Sequence, residues 1–231
     1  MTGAPRLFVT GTDTDVGKTR VTAALALAFK RRFPPDTAVT IVKAVQTGLA
    51  PGEEGDAEHA ARLAGCSWRE LARYGKAADG YAAALAEGRE PARAGDLAAQ
   101  INAIDGVIIV EGSGGAAVPI NAEERIAEVA AAARLQAVVA VGLKLGCISH
   151  ALLTAAYLRV LGVRIAGAVL VERWGETDRE YRADVIRSLA QELPILAYFP
   201  YEEDEAEAVD IGAECLAGLI GPSANSPAIA P

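Results

Sequence analysis

Gly11-Thr12-Asp13-Thr14-Asp15-Val16-Gly17-Lys18-Thr19 stands between the apolar run Leu7-Phe8-Val9 and the amphipathic run Val21 to Phe29. That order reads as strand, glycine-bounded loop and helix. In such a loop the backbone N–H groups wrap a polyphosphate, and the positive end of the helix dipole adds to the attraction. Lys18 is then expected to reach the β- and γ-phosphates, and the Thr19 hydroxyl to ligate Mg²⁺. The usual phosphate loop is one residue shorter between its glycines, and Thr12 takes the place of its first glycine. A chance Gly-Lys-Thr with a solvated lysine would lack the strand before it and the helix after it, so nucleotide binding is the better reading.

At 231 residues the chain is long enough for one large domain or two small ones, and a hydrophobic content of 52% supports a substantial core. The net charge of −8 argues against general affinity for nucleic acid and against binding to acidic membranes. Anionic ligands must therefore be held by local positive sites. Cys66, Cys147 and Cys215 show no metal or redox spacing and read as reduced thiols of a cytoplasmic protein. No stretch approaches an uninterrupted membrane span, and the first strand begins too early to leave room for a signal peptide.

The proline pair Pro34-Pro35 stops the first helix. A second strand is expected over Ala38 to Val42, ending at Lys43, with a loop at Ala44 to Gly48 and an exposed turn at Pro51 to Gly55. Helices are expected from Asp56 to Ala64, from an N-capping Ser67 to Arg73, from Tyr81 to Glu87 and from Gly95 to Ala103. Val107-Ile108-Ile109-Val110 reads as a strand buried on both faces, followed by Glu111 and a Gly112-Ser113-Gly114-Gly115 turn. Further helices are expected at Ala122–Arg134, Ser149–Leu161, Asp178–Gln191 and Ala208–Leu219, and further strands at Ala137–Val141, Ile165–Val171 and Ile195–Phe199. Strands alternating with helices predict one α/β domain over residues 1–222, with a mostly parallel sheet covered by helices on both faces. Residues 223–231 read as a disordered tail.

Ligands of such sheets sit at the carboxyl ends of the strands. That rule gathers the Gly11–Thr19 loop, Lys43, Glu111 and Lys144 on one edge. Glu111 stands where nucleotide-hydrolysing folds place an acid for Mg²⁺, and Asp56 is a candidate second carboxylate. Lys43, as a fixed cation, would stabilise charge on a transferring phosphoryl group, with Lys144 a weaker candidate. Gly112 to Gly115 would let a substrate approach the backbone closely. His59 and His150 lack metal-ligand spacing and read as surface or capping residues, and Ser149 as a helix N-cap.

The loop Gly11 to Thr19 closely resembles the phosphate loop of the dethiobiotin synthetase family. Lys43-Ala44-Val45-Gln46-Thr47-Gly48 resembles that family's Lys-Pro-Val-x-Thr/Ser-Gly segment, and Val110 to Gly115 its Val-Glu-Gly-Ala-Gly-Gly segment. Gly142 to Ala151 resembles its stretch before the dimer helix. The resemblance implies a P-loop NTPase fold and an ATP- and Mg²⁺-dependent reaction joining CO₂ to 7,8-diaminononanoate. It implies phosphate or carbamate contacts from Thr14 and Lys18, with nucleotide contacts over Asp15, Val16, Gly17, Lys18, Thr19 and Arg20. Lys43 would lie between carbamate and γ-phosphate, and Thr47 would bond the diamine. Gly114 and Gly115 would line the diamine site. Thr19, Asp56 and Glu111 would hold the metal. The substrate carboxylate would reach a partner subunit near Ser149, which implies a homodimer.

Four departures stand out. Ala44 replaces a proline, and Asp79-Gly80-Tyr81-Ala82 replaces the family's Pro-x-Ser-Pro segment. Val171-Glu172-Arg173-Trp174 stands where an adenine-contacting asparagine is expected. The acidic run Glu202 to Glu207 occupies the region expected to meet base and ribose, although most of its acids read as solvated. Two alternatives remain open at this point. A related ATP-dependent amidoligase would normally carry a glutaminase domain. A partition or septum-type ATPase switch would carry an extra lysine near Asp13.

Overall fold

The computed structural model describes residues 4–220, so the tail expected at 223–231 lies outside the described residues. In chain order the strands are β1 (Arg6–Gly11), β2 (Val39–Lys43), β3 (Gln46–Thr47), β4 (Ser67–Glu70), β5 (Arg73–Tyr74), β6 (Val107–Gly115), β7 (Gln136–Gly142), β8 (Ile165–Val171) and β9 (Ile195–Phe199). The helices are α1 (Lys18–Arg32), α2 (Asp56–Ala64), α3 (Gly80–Ala86), α4 (Ala94–Asn102), α5 (Ile126–Ala132), α6 (Cys147–Val160), α7 (Arg179–Leu189) and α8 (Glu205–Ala217). Seven strands form one sheet in the order β4-β2-β6-β1-β7-β8-β9, every pair parallel. β3 and β5 pair separately, also in parallel.

The central strands are apolar throughout because both of their faces are covered. Successive residues alternate between two cores: Leu7 and Val9 join one, Phe8 the other; Val107 and Ile109 join one, Ile108 and Val110 the other. The first core lies under α1, α2 and α8, and the second under α4, α5, α6 and α7. The α/β, mostly parallel architecture is thus the one expected.

Local expectations fail in several places: the loop expected at Ala44 to Gly48 contains β3, and the last helix starts at Glu205 rather than Ala208. Ser67 to Arg73 is not a helix, because Ser67–Glu70 pairs with β2 as the exposed sheet edge. A serine at a loop end fits a helix cap and a strand start equally well, and the neighbouring strand decides. The 112–115 segment is not a turn but continues β6, whose register against β1 shifts between Val9 and Gly11. Gly112 is required there, since a Cβ would lie 2.9 Å from Cζ of the buried Phe8 ring. The helix expected from Ala122 starts only at Ile126, after a bridge between Pro119 and Arg125. Finally, Ser149 is not an N-cap: α6 starts at Cys147 with Gly146 at its cap, where φ is 90°. The first turn closes early because the Cys147 N–H donates to the Lys144 carbonyl at 3.0 Å.

Candidate active site

Strand order alone assembles the site. β6 lies between β2 and β1, so Lys43 and Glu111 are direct partners in register, and Val9 of β1 pairs with Glu111 on its other side. The loop after β1 therefore opens beside both residues. In that loop Asp15 takes φ 56° and Gly17 takes φ 92°, the left-handed values that turn successive backbone N–H groups to one side. A Cβ on Gly17 would also meet Val171 Cγ1 at 2.9 Å. The Lys18 ammonium folds back on the loop and donates to the Asp13 carbonyl at 2.9 Å. Its burial pulls its pKa below the ordinary lysine value, against the opposing pull of Glu111.

Lys43 is 2% exposed, and its ammonium meets three oxygens: Glu111 Oε1 at 2.8 Å, the Gly112 carbonyl at 3.0 Å and Asp56 Oδ2 at 2.6 Å. Burial opposes the charge, but the carboxylates of Glu111 and Asp56 outweigh it and hold the pKa above the usual lysine value. The Thr19 hydroxyl donates to the same Glu111 Oε1 at 3.1 Å. Asp56 opens α2, and Gln46 places it by accepting the Asp56 N–H at 3.0 Å.

Thr19, Asp56 and Glu111 offer hard oxygen donors, and the second Glu111 oxygen, Oε2, is buried with no hydrogen-bond partner. That set suits Mg²⁺, which binds through one or two carboxylates together with phosphate oxygens and water. Among the described residues no group of three or more His, Cys, Asp or Glu side chains is placed to hold a metal. The donors fit an ion that arrives with a triphosphate rather than one caged by the protein.

These residues open on a cleft of about 900 Å³. Thr14, Asp15, Gly17, Lys18, Thr19, Arg20, Lys43, Thr47, Asp56, Glu111 and Gly114 all line it. Val16 is buried beneath the loop, while Gly115 lines a smaller cavity of about 290 Å³ with Thr12, Asp13 and His150. Ser149 is exposed on α6, outside both linings. Lys144 pairs with Asp13 at 2.9 Å and lies over the Trp174 ring rather than in the main cleft. The two histidines part company. His150 is exposed, whereas His59 lines the cleft and bridges Glu54 at 3.2 Å and Glu205 at 3.1 Å.

The chain has measurable relatives. A family model described as an AAA domain matches residues 5–208. The chain is 40% identical over 168 residues to the ATP-dependent dethiobiotin synthetase BioD of Saccharopolyspora erythraea, covering 71% of this chain and 72% of that one. It belongs to the dethiobiotin synthetase family. The enzyme of the same name from Anaeromyxobacter sp. strain K is 39% identical over 209 residues, covering 87% of this chain and 92% of that protein. Among solved structures, the septum site-determining protein MinD of Pyrococcus horikoshii, complexed with Mg-ADP, superposes with a TM-score of 0.59. It covers 92% of this chain and 93% of its own at 16% identity, a likeness of P-loop fold alone. Family membership thus decides between the readings left open by the motifs.

Proposed function

We infer that this chain catalyses the ATP-dependent synthesis of dethiobiotin, a carbon–nitrogen ligase step of biotin biosynthesis. The observation that carries this reading is the Lys43 ammonium, fixed between Glu111 and Asp56 on the cleft that also receives Lys18, Thr14 and Gly114. The substrates proposed are 7,8-diaminononanoate, CO₂ and a nucleoside triphosphate. One amine of the diamine adds to CO₂ and loses a proton, giving a carbamate. A carbamate oxygen attacks the γ-phosphorus and displaces ADP, which forms a carbamic-phosphoric mixed anhydride. The second amine attacks the carbonyl carbon, phosphate leaves, and the cyclic urea closes.

Such a sequence needs positioning and charge neutralisation more than a protein nucleophile. The loop N–H groups and Lys18 hold the phosphates. Lys43 faces the γ-phosphate and the carbamate, while Thr14 and Thr47 orient the substrate and the Gly114–Gly115 backbone lines its chain. Asp15, Val16, Gly17 and Arg20 complete the nucleotide contacts. Mg²⁺ held by Thr19, Asp56 and Glu111 would neutralise charge on the phosphate oxygens.

A homodimer is part of the proposal. Leu153 and Val160 of α6 are 66% and 83% exposed, and Leu145 just before the helix is 87% exposed. An apolar face of that kind marks a partner surface. A second copy there would bring its residues to the smaller cavity and to Ser149, where the substrate carboxylate is expected. A cytoplasmic setting is supported by the three free cysteines.

The direct test is mass spectrometry of products after incubation with diaminononanoate, bicarbonate, Mg²⁺ and each nucleoside triphosphate in turn. Dethiobiotin should form only when all components are present. Phosphate release that ignores the diamine but responds to DNA or lipid would overturn the reading in favour of an ATPase switch.

A further inference from the structure

Glu172 is a buried carboxylate, 2% exposed, for which the proposed reaction has no use. It follows β8 directly, and both of its oxygens are engaged. Oε1 accepts the Thr177 N–H at 2.9 Å and the Arg182 guanidinium at 3.3 Å; Oε2 accepts the Tyr201 N–H at 3.0 Å. Its own N–H donates to the Phe199 carbonyl at 3.0 Å. One side chain thus ties the loop after β8 to the loop after β9. The second loop is also gripped from α1, where Arg20 donates to the Pro200 carbonyl at 2.9 Å and, in the first turns of α8, to the Ala208 carbonyl at 3.3 Å.

Sheet order says what those loops face. In β2-β6-β1-β7-β8-β9, Lys43 and Glu111 lie on one side of the phosphate-loop strand, and Glu172 and Tyr201 on the other. A triphosphate gripped after β1 with its terminal group toward Lys43 must send its nucleoside toward β8 and β9. Arg173, Tyr201, Glu202 and Glu203 line that end of the cleft. Glu172 lines the cleft too, but each of its oxygens is engaged by a loop N–H, and Oε1 by Arg182 as well, so its bonds hold the two loops.

We propose that Glu172 is a positioning residue for the nucleoside half of the triphosphate, acting by locking the β8 and β9 loops into one wall. This rests on the nucleotide-binding reading above. Binding through the phosphates should not depend on it, whereas binding through the nucleoside should.

The test compares ATP with inorganic tripolyphosphate, a competitor that has the phosphates and no nucleoside. In Glu172→Gln the side chain keeps its size but loses one acceptor, so one loop N–H is orphaned. Calorimetry should show ATP binding about ten-fold weaker and tripolyphosphate binding within about two-fold of wild type. KM for ATP should rise in step, with kcat nearly unchanged. Equal weakening of both ligands, or unchanged ATP binding, would overturn the proposal. Arg182→Met, which removes the counter-charge without touching either loop N–H, should move the same ratio in the same direction, and serves if the first variant does not fold. A wild type that bound neither ligand would defeat the proposal along with the nucleotide reading. The binding ratio is read whether or not dethiobiotin forms, so failure of the synthetic reading is seen separately.

Discussion

Lys43 is the residue on which the proposed chemistry turns. Its ammonium neutralises two carboxylates that would otherwise repel each other and any phosphate brought beside them. Lys43→Ala should cut turnover by roughly 100-fold, as loss of a preorganised cation at the reacting centre does, while nucleotide affinity stays within a few-fold. A coupled phosphate-release assay and calorimetry check the two halves, and unimpaired release would refute the role. Thr19→Val keeps the shape of the side chain and deletes the hydroxyl beside Glu111, so the Mg²⁺-dependent part of nucleotide affinity should fall. Identical affinities with and without Mg²⁺ in the variant and wild type would contradict that. Gly112→Ala sets a methyl carbon against the Phe8 ring and should cost about 1–3 kcal/mol of stability, read in urea unfolding. Lys43 and Glu111 were legible in the sequence because each ends an apolar run. Glu172 also ends an apolar run, so its place was legible, but its work and that of Gln46 were not, because both satisfy backbone groups of distant loops that local sequence does not mark.

Among the elements, α8 is capped by Asp204, whose side chain accepts the Glu207 N–H at 2.9 Å. Asp204→Ala should cost about 1 kcal/mol, visible as a lower urea midpoint with the slope unchanged. α6 is a different case. Its apolar residues surround it, so its pattern hides which face is buried, and it starts at Cys147, two residues before Ser149. Leu153→Glu should turn the proposed dimer into a monomer in sedimentation velocity, and a wild type that sediments as a monomer would refute the dimer. Long apolar strands and well-patterned helices such as α2 were legible because a period can be counted. β4 was not: four residues at a sheet edge, largely exposed, have no apolar face to announce them.

For the whole molecule, stability should follow acid pH through its buried charges. Burial would raise the Glu172 carboxyl, but the Tyr198 hydroxyl, the Thr177 and Tyr201 N–H groups and Arg182 together hold it below its ordinary value of 4.5. A depressed carboxyl stabilises the folded state above that value and stops doing so as pH falls through its folded pKa. The Tm difference between wild type and Glu172→Gln should therefore be full near neutrality and shrink below about pH 4.5. A difference that is constant with pH would contradict the assignment. The architecture was readable at this scale because an all-parallel sheet leaves its mark in every central strand.

The strand that carries the phosphate loop divides the cleft into two estates. On the proposed reading, Lys43 and Glu111, on β2 and β6, meet the terminal phosphate on one side of that strand, and the β8 and β9 loops meet the nucleoside on the other. On that reading, variation confined to the β8 and β9 loops should alter the preferred nucleotide and leave the ring that is made unchanged.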